Sequence, residues 1–194
     1  EALQRAIAGG GTFIDIGANI GHYTLMAATF GAGHIIAIEP NPDALARLEF
    51  NTAANRLQDR VSNVQTALGE ADGDATLYVP VDGDMGGGKV SDSAIEGRQV
   101  NVRNRPRASV LQEHDVDRVD ALKIDVEGME DRVLFPFFEQ APASLWPRLI
   151  IIEHTSAPDW ERDILAWLLA HGYRTAAKTR SNQMLLLDGQ TTGP

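Results

Sequence analysis

The sequence predicts an α/β protein built on a doubly wound, mostly parallel sheet. Three observations carry that expectation. Near-continuous apolar runs rich in β-branched residues recur along the chain, stretches of helical periodicity separate them, and the first run ends in a glycine-containing turn, "FIDIGANIGHYT" from Phe13 to Thr24. Parallel strands are covered by helices on both faces and so read as continuous apolar runs, and alternation with helices supplies the crossover that parallel pairing needs.

The strand candidates, in order, are "TFIDIG", "HIIAIE", "VSNVQTAL", "ALKIDV", "RLIIIEH" and "QMLLLD". Between the first two, Asn19 is suited to cap a helix whose one face carries Ile20, Tyr23, Ala27 and Phe30 and which Gly31 ends. A second helix, "NPDALARLEFNTAANR", opens with Pro42 in its first turn. A third, "APDWERDILAWLLAHG", opens at Pro158 and closes at Gly172. At the end, "YRTAAKT" and "QMLLLD" flank the turn signal "RSN", which suits a closing antiparallel hairpin. From Asp82 to Pro106 the chain holds five glycines and no sustained period. This span is expected as a loop or irregular hairpin inserted into a single domain over residues 1–194. Long loops are commonly functional, and a mobile cover over an acceptor pocket is the expectation for this one.

At 194 residues and 43% hydrophobic content the chain is long enough to bury one good core. A formal charge of -10 opposes binding to a polyanion, so nucleic acid is not favoured as a partner. There are no cysteines, which excludes disulfides, thiolate metal sites and a cysteine nucleophile. No apolar run reaches transmembrane length and the N-terminus shows no signal peptide, so a cytoplasmic protein is expected. The chain begins at Glu1 rather than Met, which fits a processed protein or an excised piece.

In open α/β sheets ligands bind beyond the carboxyl ends of the strands, where the turn after the first strand lies. Gly17 and Gly21 allow close backbone approach there, the following helix N-terminus suits an anion, and Asp15 suits an ammonium. Together they fit an amino-acid zwitterion. Twenty-two residues beyond Gly17 stands Glu39, a carboxylate placed to accept both hydroxyls of a ribose. A nucleoside beside an amino acid describes S-adenosylmethionine. The nicotinamide fingerprint fits less well, because an asparagine stands where its second glycine belongs.

The blocks "FIDIGANIGHYT", "IEPNPDALARLEFN" and "LKIDVEGMED" resemble the signature blocks of FkbM-family methyltransferases, in order and spacing, over residues 12 to about 154. The resemblance implies a Rossmann-like class I methyltransferase fold, with seven strands and a terminal antiparallel strand, that uses S-adenosylmethionine and acts mostly on hydroxyl oxygens. It also implies that Asp15, Gly17, Asn19 and Gly21 line the methionine end, that Glu39 holds the ribose, and that Pro40 and Asn41 lie by the adenine. One departure is "PRASVL", Pro106 to Leu111, where a "TLDSLL"-like run is usual and Ala108 replaces an aspartate.

Methyl transfer to a hydroxyl needs alignment, exclusion of water and removal of a proton. Period-two alternation would send Asp125 and Glu127 to one side if their strand ran on, and Glu153 and His154 end the next strand. These four are the candidate catalytic residues. Position favours Asp125, whereas histidine as a residue type titrates nearer neutrality. Such oxygen and imidazole groups can also bind a magnesium-class ion, a secondary expectation that is not favoured. Lys123 is expected to pair with a neighbouring carboxylate. The arginines at 98, 103, 105 and 107 are expected as solvated loop charge. The leading function is O-methylation of a hydroxyl on a small molecule or glycan; the alternatives are a catalytically silent S-adenosylmethionine-binding scaffold and an RNA-modifying methyltransferase.

Overall fold

A computed structural model describes residues 1–81, 88–91 and 96–189. In chain order the helices are α1 (Ala2–Ile7), α2 (His22–Thr29), α3 (Pro42–Ala54), α4 (Arg107–Glu113), α5 (Glu130–Gln140) and α6 (Ile164–Ala170). The strands are β1 (Thr12–Ile16), β2 (His34–Ile38), β3 (Val61–Val64), β4 (Ala67–Leu68), β5 (Gly73–Val79), β6 (Lys89–Val90), β7 (Arg98–Arg105), β8 (Ala121–Ile124), β9 (Leu149–Glu153), β10 (Tyr173–Lys178) and β11 (Asn182–Leu187).

The main sheet has seven strands in the order β10-β11-β9-β8-β1-β2-β3. Its pairs are parallel except those of β11, which runs antiparallel to both β9 and β10. This is the doubly wound, mostly parallel architecture with an antiparallel strand that the sequence predicts. Ile14, Ile16, Ile36, Ile38, Ile124, Ile150 and Ile152 face one apolar layer, with α5 and α6 over it. Phe13, Ile35, Ala121, Leu149 and Ile151 face the other, under α1, α2 and α3. Two-sided burial is why these strands read as unbroken apolar runs.

A second, four-stranded sheet, β4-β7-β5-β6, branches off after β3. The run "VSNVQTAL" is therefore two strands in two sheets. Thr66 marks the break, donating from Oγ1 to the carbonyls of Ala67 and Arg103, both at 2.9 Å. The span 82–106, expected as a loop or irregular hairpin, contains β6 and β7, and β7 pairs with β5 from Arg98 to Asn104. Ala67, Leu77, Val79 and Val102 form the small core of this sheet. Within the span 82–106, where the mobile cover was expected, residues 82–87 and 92–95 lie outside the described residues.

Two helix starts differ from expectation. Gly21, not Asn19, caps α2, with φ 94°. Helix α6 starts at Ile164, capped by the Asp163 side chain, while Pro158 opens only a 3-10 turn at Ala157–Asp159. The segment between bends at Glu161 and Arg162, whose N–H groups donate to the buried Asp131 carboxylate at 2.9 and 3.0 Å instead of joining a helix. In α4, Arg107 is buried with its guanidinium 3.1 Å from the Phe137 ring centroid, and burial pushes its pKa well down. The other three arginines of the expected cluster pair at the surface: Arg98 with Asp43, Arg103 with Asp72 at 3.2 Å, and Arg105 with Glu113 at 2.6 Å. Among the described residues no helix is long and apolar enough to cross a membrane.

Candidate active site

A cavity of about 260 Å3 opens at the carboxyl ends of β1, β2 and β8. Its walls come from the turn after β1 (Gly17, Ala18, Asn19), the first turn of α2 (His22, Tyr23), the end of β2 (Glu39, Pro40), the hinge into the second sheet (Thr66, Ala67, Leu68), β6 with its preceding glycine (Gly88, Val90), and the stretch after β8 (Asp125, Val126, Glu127, Met129).

The turn after β1 is held by its neighbours. Gly17 and Ala18 both donate to the Ile38 carbonyl at 3.0 Å, and Asn19, at φ 50°, donates its backbone N–H to Glu39 Oε2 at 2.8 Å. The other oxygen, Glu39 Oε1, accepts from the Asn41 N–H at 2.9 Å. Glu39 thus ties the two strand ends together while lining the cavity, and burial pushes its pKa up against those two backbone bonds. Gly17 is required by the protein itself. Its φ is 69°, and a Cβ there would stand 1.9 Å from the Asp125 carbonyl oxygen. Gly21 answers to Leu48, whose Cδ1 would lie 2.6 Å from an added Cβ. The glycines expected to admit a ligand chiefly admit other parts of the fold.

Asp15, expected to meet an ammonium in the site, stands behind the wall. It is fully buried, accepts from Thr24 Oγ1 at 2.6 Å and lies 3.9 Å from Lys123 Nζ; burial raises its pKa, with Lys123 opposing. Gly21 and Asn41 are also outside the lining. Asn41 instead caps α3, accepting from the Asp43 N–H at 3.1 Å.

Lys123 is the residue whose importance the sequence reading understated. Its buried ammonium donates to the Gly17 carbonyl at 2.7 Å and lies 3.6 Å from Asp125 Oδ2, so one cation joins the turn after β1 to the acid after β8. A lysine inside the apolar run "ALKIDV" was the available signal. Tyr23 faces it, ring centroid 5.8 Å from Nζ, with a phenol pKa raised first by burial and then by Asp15 and Asp125.

The four catalytic candidates divide. Asp125 and Glu127 line the cavity; Glu153 and His154 do not. The alternation argument for the first pair fails because β8 ends at Ile124 and Glu127 sits at φ 55° in a turn. Glu153 is turned to its own loop, accepting from the N–H groups of Thr155 and Ser156 and from the Thr155 hydroxyl. His154 has a buried Nε2 with no hydrogen-bond partner among the described residues. Oxygens of Asp125, Glu130 and Glu153 lie within 4.8 Å of one another, close enough to share a divalent ion. Glu130 and Glu153 already accept from backbone and side-chain donors, which takes up part of the acceptor capacity an ion would use.

Comparison with known proteins bears on the family and the fold. The 31-O-demethyl-FK506 methyltransferase FkbM of Streptomyces tacrolimicus is 29% identical, with 87% of this chain and 75% of that protein covered. The hexuronic acid methyltransferase AglP of Haloferax volcanii is 29% identical over 62% of this chain and 47% of its own length. The solved structure of methyltransferase FkbM from Methylobacillus flagellatus KT matches in fold with a TM-score of 0.54 at 18% identity, covering 92% of this chain and 43% of that one. The chain thus spans less than half of two of these relatives. The family model of the methyltransferase FkbM domain matches residues 15–175, which run from the buried acid of β1, through Glu39 and the Asp125 turn, into β10. With the seven-stranded order and the cavity at its strand ends, that match places the chain in the FkbM methyltransferase family.

Proposed function

We propose that the protein methylates a hydroxyl oxygen of a small molecule or glycan, with S-adenosylmethionine as donor. One observation carries the reading: the turn after β1, the Glu39 carboxylate and Asp125 line a single cavity. The residues fit the donor. Asn19 Oδ1 is buried with no hydrogen-bond partner among the described residues, and Glu39 stands at the wall where ribose hydroxyls would be accepted. Pro40, Ala67 and Leu68 offer apolar surface to a base. Bound there, the donor would supply a methyl group already activated by its sulfonium.

The chain's own residues align an acceptor and handle its proton. Asp125 lines the cavity 3.6 Å from the Lys123 ammonium, and we assign it positioning of the hydroxyl and acceptance of its proton. Among the curated relatives, the name of one, for a demethylated FK506, supports an oxygen acceptor on a small molecule, and that of another, for hexuronic acid, supports a sugar acceptor. An RNA acceptor finds no support in the acidic chain or in the arginines of β7, which are paired with carboxylates. Incubation with radiolabelled donor and a panel of glycosides and macrolide alcohols tests the proposal. Transfer of label to a hydroxyl supports it; donor binding without transfer to any acceptor would favour a silent scaffold.

A further inference from the structure

The turn that carries Asp125 and Glu127 is held from behind by a carboxylate that never reaches the cavity. Glu130, the first residue of α5, is fully buried. Its Oε1 accepts from the backbone N–H groups of Val126 at 2.8 Å and Gly128 at 3.4 Å, and its Oε2 accepts from the Trp160 indole at 2.7 Å. Between the two tethered amides sits Glu127, a non-glycine residue at φ 55°, followed by Gly128 at φ 94°. A left-handed pair costs free energy and persists where surrounding bonds over-determine it. Helix capping alone does not describe these bonds, because those to Val126 and Gly128 reach backward to residues before α5.

The same arrangement reaches a further part of the cavity lining. Trp160 follows Asp159, which pairs with Lys89 at 3.0 Å, and Lys89 stands between Gly88 and Val90 of the cavity lining. Asp159 also packs against Gly128, where an added Cβ would lie 3.2 Å from its side chain.

We propose that Glu130 is a positioning residue for the acceptor side of the site: it holds the Val126–Gly128 turn in the conformation that presents Asp125 and Glu127, and Trp160 holds Glu130. The proposal rests on the reading of that side as the acceptor face. Four full-length variants test it: Glu130→Ala, Glu130→Gln, Trp160→Phe, and the last two combined. Each is followed by amide hydrogen exchange, S-adenosylmethionine affinity and methyl-transfer kinetics.

Glu130→Ala should speed exchange at Val126 and Gly128 by about 10-fold or more while Ile124 and Ile151 stay protected. It should also lower kcat by about 30-fold with donor affinity within about twofold. Glu130→Gln keeps an oxygen for the two amides but turns an amide N–H toward the indole N–H. Its smaller defect should be largely recovered on adding Trp160→Phe, which removes that opposition. Unchanged exchange at Val126 and Gly128, retained kcat, or equal acceleration at Ile124 and Ile151 would each overturn the assignment. Should Glu130→Ala not fold, the Gln variant and its rescue decide alone. A parent protein that binds no S-adenosylmethionine would sink the reading of the site instead, and the exchange measurements would still show whether Glu130 holds the turn.

Discussion

The cavity is lined by two adjoining turns, and each is fastened by a buried glutamate that accepts backbone N–H groups. After β1 the glutamate is Glu39, which holds Asn19 and Asn41. After β8 it is Glu130, which holds Val126 and Gly128. The difference lies in where the carboxylate stands. Glu39 comes from the neighbouring strand and forms part of the wall, so one side chain both builds the turn and faces a ligand. Glu130 belongs to the following helix and stays behind the wall, leaving the cavity face to Asp125 and Glu127. One end of the site thus merges scaffold and contact in a single residue, whereas the other assigns them to separate residues.

Gly17 is where the two turns touch, so changing it should have the largest effect. Gly17→Ala forces a Cβ against the Asp125 carbonyl at a positive φ, and we expect a loss of about 4 kcal/mol or more, measured by denaturant unfolding or as failure to express a folded chain. Next, Asp125→Asn should lower kcat by roughly 100-fold with donor affinity preserved, while His154→Gln stays within about threefold. Full turnover in the first with collapse in the second would move the base to His154.

Glu39→Ala should do the reverse, weakening S-adenosylmethionine binding by about 1.5 to 3 kcal/mol in calorimetry. Its pKa is raised by burial, and the ionised form is the one that accepts hydroxyls. Donor affinity should therefore fall on acidification from a higher pH than an ordinary glutamate would give, and Glu39→Gln should flatten that profile. The folding stability linked to the same raised pKa runs the other way, fully present below the unfolded value and lost as pH rises through the folded one. The smallest effect belongs to a surface pair outside both turns. Arg103→Ala removes an exposed partner of Asp72 and should change stability by less than about 0.5 kcal/mol.

The main sheet was legible because two-sided burial writes itself into composition: the runs around Ile14, Ile36, Ile124 and Ile151 have almost no other reading. The second sheet was not. Its strands are half-buried, β7 carries Arg98, Arg103 and Arg105 on solvent-facing or partly covered positions, and β5 hides its Leu77 and Val79 among Gly73, Asp74 and Thr76. Charge there reads as loop. Glu39 could be picked out because spacing from the glycine turn marks a ribose-binding acid. Glu130 could not, since an acid in a helix's first turn has an ordinary electrostatic explanation and its bonds to Val126 and Trp160 exist only in three dimensions. The start of α6 was misplaced for the same kind of reason, as the buried Asp131 that draws residues 161 and 162 out of helix lies 30 residues earlier.

The pairing of Phe13 with Ala121 at the centre of the main sheet has a kinetic consequence. That ladder closes more than a hundred residues of chain, whereas β5 and β7 pair within one hairpin-like excursion. Loop-closure entropy places the distant pairing late, so the side sheet is expected to form early and the floor of the cavity near the end of the folding reaction. A ligand that needs both β1 and β8 can then do little to accelerate folding, and should act chiefly by slowing the rate at which the finished molecule opens.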